Sequence, residues 1–454
     1  MKRRKWVAFM LMTVLMAGLI AACGKGDSGS SSGGSSSGGA SSGSSSSSSG
    51  GSSSGGSSSG GSSDGSSEQM EVLKVGFVDP LTGPGAVFGV PQSESVDMAV
   101  EEINNNGGVK VGDKAYKIEL IKYDNKADAN EAINAVRKLI DRDGVKFILG
   151  HASSTPTLAV VQMVAEEDVL LLVGYAAEQS IVTQGNKNVF RNRTPSGYTG
   201  APAGEFAAKN GVKRLAFLGQ KDLVYQSFFK YFKERFEANG GEVIAEEVFS
   251  LGDRDMYTQL TKIISLNPDA ILTPGYVEQA AFVYKQAREL GYTGPFYGFT
   301  GGSEEQYLEI VPKEYMEGIY DVRPEEIPEV DRSQNNINYF INYEKKYGKE
   351  PVPIGLYAYD QVYVLKAAIE KAGSLEVGKV IEALRDLEPP KEVTLNYLTI
   401  NGKMFDENGQ AFTRNVALQW QGDGWKFAAE LPNLAEEFSQ ELSRQTQETL
   451  AQKK

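Results

Sequence analysis

The chain offers little with which to do covalent chemistry. Its 454 residues include one histidine, His151, and one cysteine, Cys23. One thiol excludes an intrachain disulfide and a cysteine-rich zinc site, and one imidazole excludes a histidine-clustered metal centre. A Ser–His–acid triad would have to use His151, in Gly150-His151-Ala152-Ser153-Ser154, with Ser153 or Ser154 as nucleophile. The plainer reading is a ring that packs at a strand end. No G-x-S-x-G elbow, G-x-x-x-x-G-K-[ST] phosphate cradle or zinc-spaced histidine pair is present. Most carboxylates fall at helix-surface spacing, where they are solvated. No catalysis, metal or cofactor is expected.

Cys23 has its own context. Lys2-Arg3-Arg4-Lys5 is a basic start, residues 6–20 are mostly apolar, and Ile20-Ala21-Ala22-Cys23 resembles a bacterial lipobox. The apolar run is shorter than the roughly 20 residues of a membrane span. Residues 1–22 therefore read as a lipoprotein signal peptide cleaved before a lipidated Cys23, with an uncleaved anchor as the alternative. The working part would lie outside the cytoplasm, held to the cell membrane by lipid alone. Residues 23–70 read as the lipidated cysteine and a flexible linker. Within 24–67 only Lys25, Asp27, Ala40 and Asp64 are neither Gly nor Ser. Such a coil buries no apolar surface and reaches about 35–40 Å on average.

The charge balance narrows the partners. With 46 basic and 59 acidic residues the net charge is −13, or −17 once the four basic residues of the leader are removed. Nucleic acid and anionic membrane surfaces call for a basic face, so neither is expected as a partner.

The elements that must position any site begin at Val72. Short apolar runs at 72–78, 116–123, 145–149 and 169–173 alternate with amphipathic segments at 92–105, 127–142 and 157–167. A second series places strands near 214–219, 242–249, 270–273, 295–298 and 318–322, with helices near 225–239, 256–266 and 278–290. Strand then helix, repeated, predicts parallel sheets with right-handed crossovers, and the two series predict an α/β protein of two lobes. Helices near 333–347, 356–372 and 377–387 follow, then antiparallel strands at 393–400 and 415–427. The polar segment 431–454 is expected to be a frayed helix or disordered tail. Ligands of open α/β sheets bind beyond the carboxyl ends of the strands. The loops concerned, 79–89, 151–157, 174–183, 220–225, 274–278 and 299–303, are rich in Gly, Ser, Thr, Tyr and acids. Such a lining suits a small polar ligand with an apolar part.

Several stretches, taken in order, carry a resemblance. Leu81-Thr82-Gly83-Pro84 follows the first strand, and residues 99–109 read A-V-E-E-I-N-N-N-G-G-V. Ile148-Leu149-Gly150-His151 precedes Ser153-Ser154-Thr155. Pro274-Gly275-Tyr276, Gln286-Ala287-Arg288 and Phe405-Asp406-Glu407-Asn408-Gly409 come later. Behind a lipobox, this series resembles the leucine/isoleucine/valine-binding proteins, receptors of branched-chain amino-acid ABC importers, over about residues 72–430. The resemblance implies the type I periplasmic-binding-protein fold: two Rossmann-like lobes, parallel sheets flanked by helices, joined by three hinge crossings. The first lobe would comprise 71–194 and 323–409, the second 195–322 and 410–430. It also implies permease subunits as partners and an amino acid as solute. The alternatives are another solute (an amide, a urea-like compound or an aromatic acid) or a sensing module for a signalling partner.

By the same resemblance, Ser154, with Ser153 and Thr155 beside it, would donate to a ligand carboxylate. The Ala176 carbonyl would take the ammonium, Phe88 would wall an apolar side chain, and Tyr225 and Tyr276 would face the ligand from the second lobe. Two positions depart from the family. Glu178 stands where a threonine is usual, and Thr300 where an acid usually pairs with the ammonium. Three resolutions follow: Glu178 takes over the ammonium, Glu178 points to solvent with Ala177 in its place, or the ligand is not a standard amino acid.

Overall fold

The computed structural model describes residues 70–453. The leader, Cys23 and the glycine/serine segment lie outside them.

The first sheet contains β1 (Glu71–Asp79), β2 (Val109–Val111), β3 (Lys114–Asp124), β4 (Phe147–Gly150), β5 (Leu170–Val173) and β6 (Val189–Arg191), in the order β2-β3-β1-β4-β5-β6. All its pairs are parallel except β2 with β3. Side-chain alternation sorts the core. Leu73, Val75, Phe77, Phe147, Leu149, Leu170 and Leu172 face one layer, and Val78, Ile148, Leu171 and Val173 face the other. Helix α1 (Ala86–Asn105) covers the first of these layers, and α2 (Ala129–Arg137) and α3 (Ser154–Glu166) the second. Helix α1 begins ahead of the expected 92–105 and carries Pro91 inside it. Pro91 is the sixth residue of the helix, past its first turn, so the Val87 carbonyl lacks its usual intrahelical donor.

Helix α4 (Ser196–Lys209) leads into the second sheet. Its strands are β7 (Arg214–Gln220), β8 (Glu242–Phe249), β9 (Ala270–Pro274), β10 (Phe296–Phe299) and β11 (Ile319–Arg323), with α5 (Leu223–Ala238), α6 (Tyr257–Ser265), α7 (Val277–Glu289) and α8 (Glu304–Leu308) between them. The chain then returns to the first lobe. Residues of α9 (Gln334–Tyr347), α10 (Gly355–Ala372) and α11 (Val377–Arg385) share a core with β1 and α1. The expected strand at 393–400 is reduced to β12 (Tyr397–Leu398), paired antiparallel with β13 (Phe412–Thr413). A hairpin of β14 (Val416–Gln421) and β15 (Gly424–Glu430) completes the second sheet, ordered β15-β14-β11-β10-β9-β7-β8.

The chain thus passes between the lobes after β6, after β11 and after β13. The first and third passages are bonded together: Arg191 N–H donates to the Gly409 carbonyl at 2.8 Å, and the Thr194 and Thr413 hydroxyls meet at 2.6 Å.

Residues 431–453 depart from the expected frayed or disordered tail in being docked on the fold. Helix α12 (Ala435–Gln452) buries Ala435, Phe438 and Leu442 in the core that also holds α2, α3 and Tyr198. Phe438 meets Tyr198 edge-on at 5.7 Å. The spacing of these three apolar positions puts them on one helical stripe, enough to dock an otherwise polar segment.

Candidate ligand-binding site

The carboxyl ends of β1, β4, β5, β7, β9 and β10 lead into a cavity of about 210 Å³ between the lobes. At its first-lobe wall, Gly150 has φ 121°, and a Cβ there would collide with the Val78 carbonyl, so only glycine lets β4 end so close to β1. The Asp79 carboxylate accepts the Ala152 N–H, which holds the start of the next loop. His151 is fully buried behind the cavity, its Nδ1 3.0 Å from the Asn125 amide. Burial alone lowers its pKa to about 4, so the ring is neutral, the bland role expected of it.

Ser153, Ser154, Thr155 and Pro156 bring the N-terminal end of α3 to the cavity. The Ser154 hydroxyl oxygen accepts the Glu178 N–H at 3.2 Å, which leaves its proton for an acceptor in the cavity. The exposed first-turn amides of a helix and its dipole favour an anion at this place. Aromatic rings form the rest of the wall. Phe88 of α1 lies 6.1 Å from Tyr175 and 5.1 Å from Tyr276. Tyr225 of α5 lies 5.7 Å from Tyr276 and 6.1 Å from Phe299. The Tyr276 N–H donates to the Gln220 side chain at 3.2 Å, and burial pushes the Tyr276 phenol up to about 12, so the ring is a neutral wall.

Phe88, Ser153, Ser154, Thr155, Tyr225, Tyr276 and Thr300 all line this cavity. Ala176 and Glu178 do not; Ala177 lies at the wall in their stead. The Ala176 carbonyl accepts from the Arg191 guanidinium at 3.2 Å, as does the Glu178 carbonyl at 2.5 Å. The Glu178 carboxylate accepts from the Ser180 N–H at 3.3 Å and hydroxyl at 3.1 Å, capping the short turn Gln179–Ile181. The structure therefore keeps the half-buried Glu178 carboxylate out of the cavity lining and on its own turn, with Ala177 rather than Glu178 at the wall. A capping carboxylate sits where orphan amides draw it, and here they belong to its own turn. Thr300 lines the cavity, but its N–H and hydroxyl both bind Asp321 at 3.1 Å, which in turn pairs with Arg323 at 2.8 Å.

Among the lining residues that sequence reasoning passed over, Tyr175, Arg193, Asp222, Phe299 and Glu325 are the aromatic and charged ones. Three of them lay in the loops already singled out. Asp222 is half-buried and accepts the Val224 N–H at 2.9 Å as the N-cap of α5; burial raises its carboxyl. Arg193 and Glu325 come from the passages between lobes, which a search of strand-end loops does not visit. Both are buried, and the Arg193 guanidinium lies 4.4 Å from the Tyr175 ring centroid.

Over residues 72–424 the chain matches the periplasmic binding protein family. It is 28% identical over 319 residues to the leucine-, isoleucine-, valine-, threonine- and alanine-binding protein of Pseudomonas aeruginosa, covering 69% of this chain and 82% of that one. A leucine-binding protein from Thermotoga maritima superposes with a TM-score of 0.69 at 30% identity, covering 79% of this chain and 99% of the other. The branched-chain amino acid transporter substrate-binding protein of Streptococcus pneumoniae, solved with isoleucine, does so with a TM-score of 0.69 at 25% identity, covering 80% and 99%. All three are named as binding proteins, and the Streptococcus protein as that of a transporter. Two α/β lobes, a cavity beyond the strand ends and a match across nearly the whole body make this chain a member of the periplasmic binding protein family, in the group of the leucine/isoleucine/valine-binding proteins.

Proposed function

We propose that the protein is a lipid-anchored receptor that captures an aliphatic amino acid between its lobes and delivers it to the permease of an ABC importer. The observation that carries this reading is the cavity itself. A serine hydroxyl and a helix N-terminus stand on one lobe, and rings from both lobes, Phe88 and Tyr276, meet over it. That arrangement suits a carboxylate joined to an apolar side chain. Closure would turn on the passages near Thr194, Val322 and Gly409, and ligand would favour the closed form through contacts made better in it. No helix among the described residues is long and apolar enough to cross a membrane. The proposed anchor is the lipid on Cys23.

A second reading, an aromatic carboxylate as solute, is favoured by the five rings of the wall. A thermal-shift screen of leucine, isoleucine, valine, neutral amides and aromatic acids separates the two. A ligand at 100 times its dissociation constant adds about 2.7 kcal/mol of stability. The branched-chain amino acids should give that shift, and amides should give none. A shift with aromatic acids alone would replace the first reading by the second. Cys23→Ala should release the protein from membranes; retention of an unprocessed precursor would make the apolar leader the anchor.

A further inference from the structure

We infer that Glu325, on the second passage between the lobes, accepts the ammonium of the bound amino acid, in place of the acid that Thr300 does not supply. This rests on the amino-acid reading above.

The ammonium of a zwitterion in a closed cleft needs an anionic acceptor, since water no longer reaches it. Two carboxylates line the cavity, Asp222 and Glu325. Asp222 is half-buried and engaged as the cap of α5. Glu178 is turned onto Ser180. Glu325 is 4% exposed, and its Oε2 has no hydrogen-bond partner among the described residues. Arg323, two residues before it, is held by Asp321 and by the Gly302 carbonyl, both at 2.8 Å. A buried carboxylate oxygen with no donor upon it, on a residue that lines the cavity, is an unfinished interaction.

Its place in the fold agrees. Gly301 passes so near that a Cβ built there would stand 3.2 Å from Glu325 Oε1. Glu325 thus presents its carboxylate beside the 299–303 loop, one residue from Thr300, where the family resemblance puts an acid. The acid missing from the loop is supplied by the neighbouring strand's exit. Arg193, also in the lining and 3% exposed, provides the opposite charge, and its Nε has no partner among the described residues. Burial raises the Glu325 carboxyl above its ordinary range, while Arg193 and then Arg323 draw it back. An incoming ammonium would hold it ionised.

The experiment is calorimetric titration of L-leucine and of 4-methylpentanoate, the same molecule without its amino group, into wild type, Glu325→Gln and Glu178→Gln. Glu325→Gln should weaken leucine at least 100-fold and leave 4-methylpentanoate unchanged or tighter. Glu178→Gln should change leucine less than threefold. If Glu325→Gln does not fold, Glu325→Asp, which keeps the charge but withdraws it by one methylene, should show the same selective loss. Wild type that binds leucine, with the folded Glu325 variants binding it equally well, overturns the inference alone. Wild type that binds 4-methylpentanoate or aromatic acids but no aliphatic amino acid overturns the amino-acid reading, and Glu325's role with it.

Discussion

Phe88 of the first lobe and Tyr276 of the second meet across the cleft with ring centroids 5.1 Å apart and planes at 40°. The pair borders one edge of the cavity by direct contact between the lobes, and would act as an aromatic latch if the lobes open and close as proposed. Aromatic pairs contribute about 0.5–1.5 kcal/mol beyond the area they bury.

Phe88→Ala removes that latch and part of the apolar wall. Ligand affinity should fall about tenfold or more, at about 1.4 kcal/mol per decade. Small-angle scattering should show wild type contracting on saturation with ligand, and the variant staying wider when ligand-free. An identical radius of gyration for wild type with and without ligand would dispose of lobe closure.

Ser154→Ala addresses the carboxylate. Hydrogen bonds to charged groups contribute about 1.5–3 kcal/mol, so leucine and 4-methylpentanoate should both weaken by roughly one to two decades. The helix should survive, because Ser153 and not Ser154 is the N-cap residue of α3. Unchanged affinity would move the carboxylate to Arg193.

His151 makes stability depend on pH in a predictable sense. Its ring takes a proton near pH 6.5 when unfolded but only near pH 4 when folded and buried. The neutral ring's contribution is complete above pH 6.5 and is lost as pH falls toward 4, because the unfolded state then binds the extra proton. Asp79, raised by burial, titrates in the opposite sense, so the comparison must be with a variant. From pH 7.5 to pH 5, wild type should lose about 2 kcal/mol relative to His151→Gln in urea unfolding. Parallel pH profiles would show that the ring charges while still folded.

Leu442→Ala tests the docking of α12. Leu442 is fully buried in the core that α12 shares with α2 and α3. Loss of a buried leucine side chain typically costs about 2–5 kcal/mol. A cost under about 0.5 kcal/mol in thermal unfolding would mean that the last helix contributes nothing to the fold.

The two strand series, the parallel sheets and the cavity's position were legible in the sequence because each is written in periodicity. Leu73, Val75 and Phe77 alternate with the residues between them, and the glycine- and serine-rich loops after each strand mark where a parallel sheet opens. Phe88, Ser153, Ser154, Thr155, Tyr225, Tyr276 and Thr300 fall in or beside those loops; strand direction brings the loops to one cavity, and the family resemblance singled out the residues within them. The scarcity of histidine and cysteine likewise settled what chemistry was out of reach. Only the tertiary structure decided the polar end of the site. In the irregular loop after β5, no period says whether Ala177 or Glu178 faces inward; local φ and ψ and the nearest orphan amides decide, and they turned Glu178 onto Ser180. Arg193 and Glu325 stand on different passages between lobes and far apart in the chain, so their meeting in one cavity depends on how the lobes are joined. Helix α12 shows the same limit. Its stripe of Ala435, Phe438 and Leu442 is too sparse to announce a docked helix, until the first lobe supplies the apolar surface that receives it.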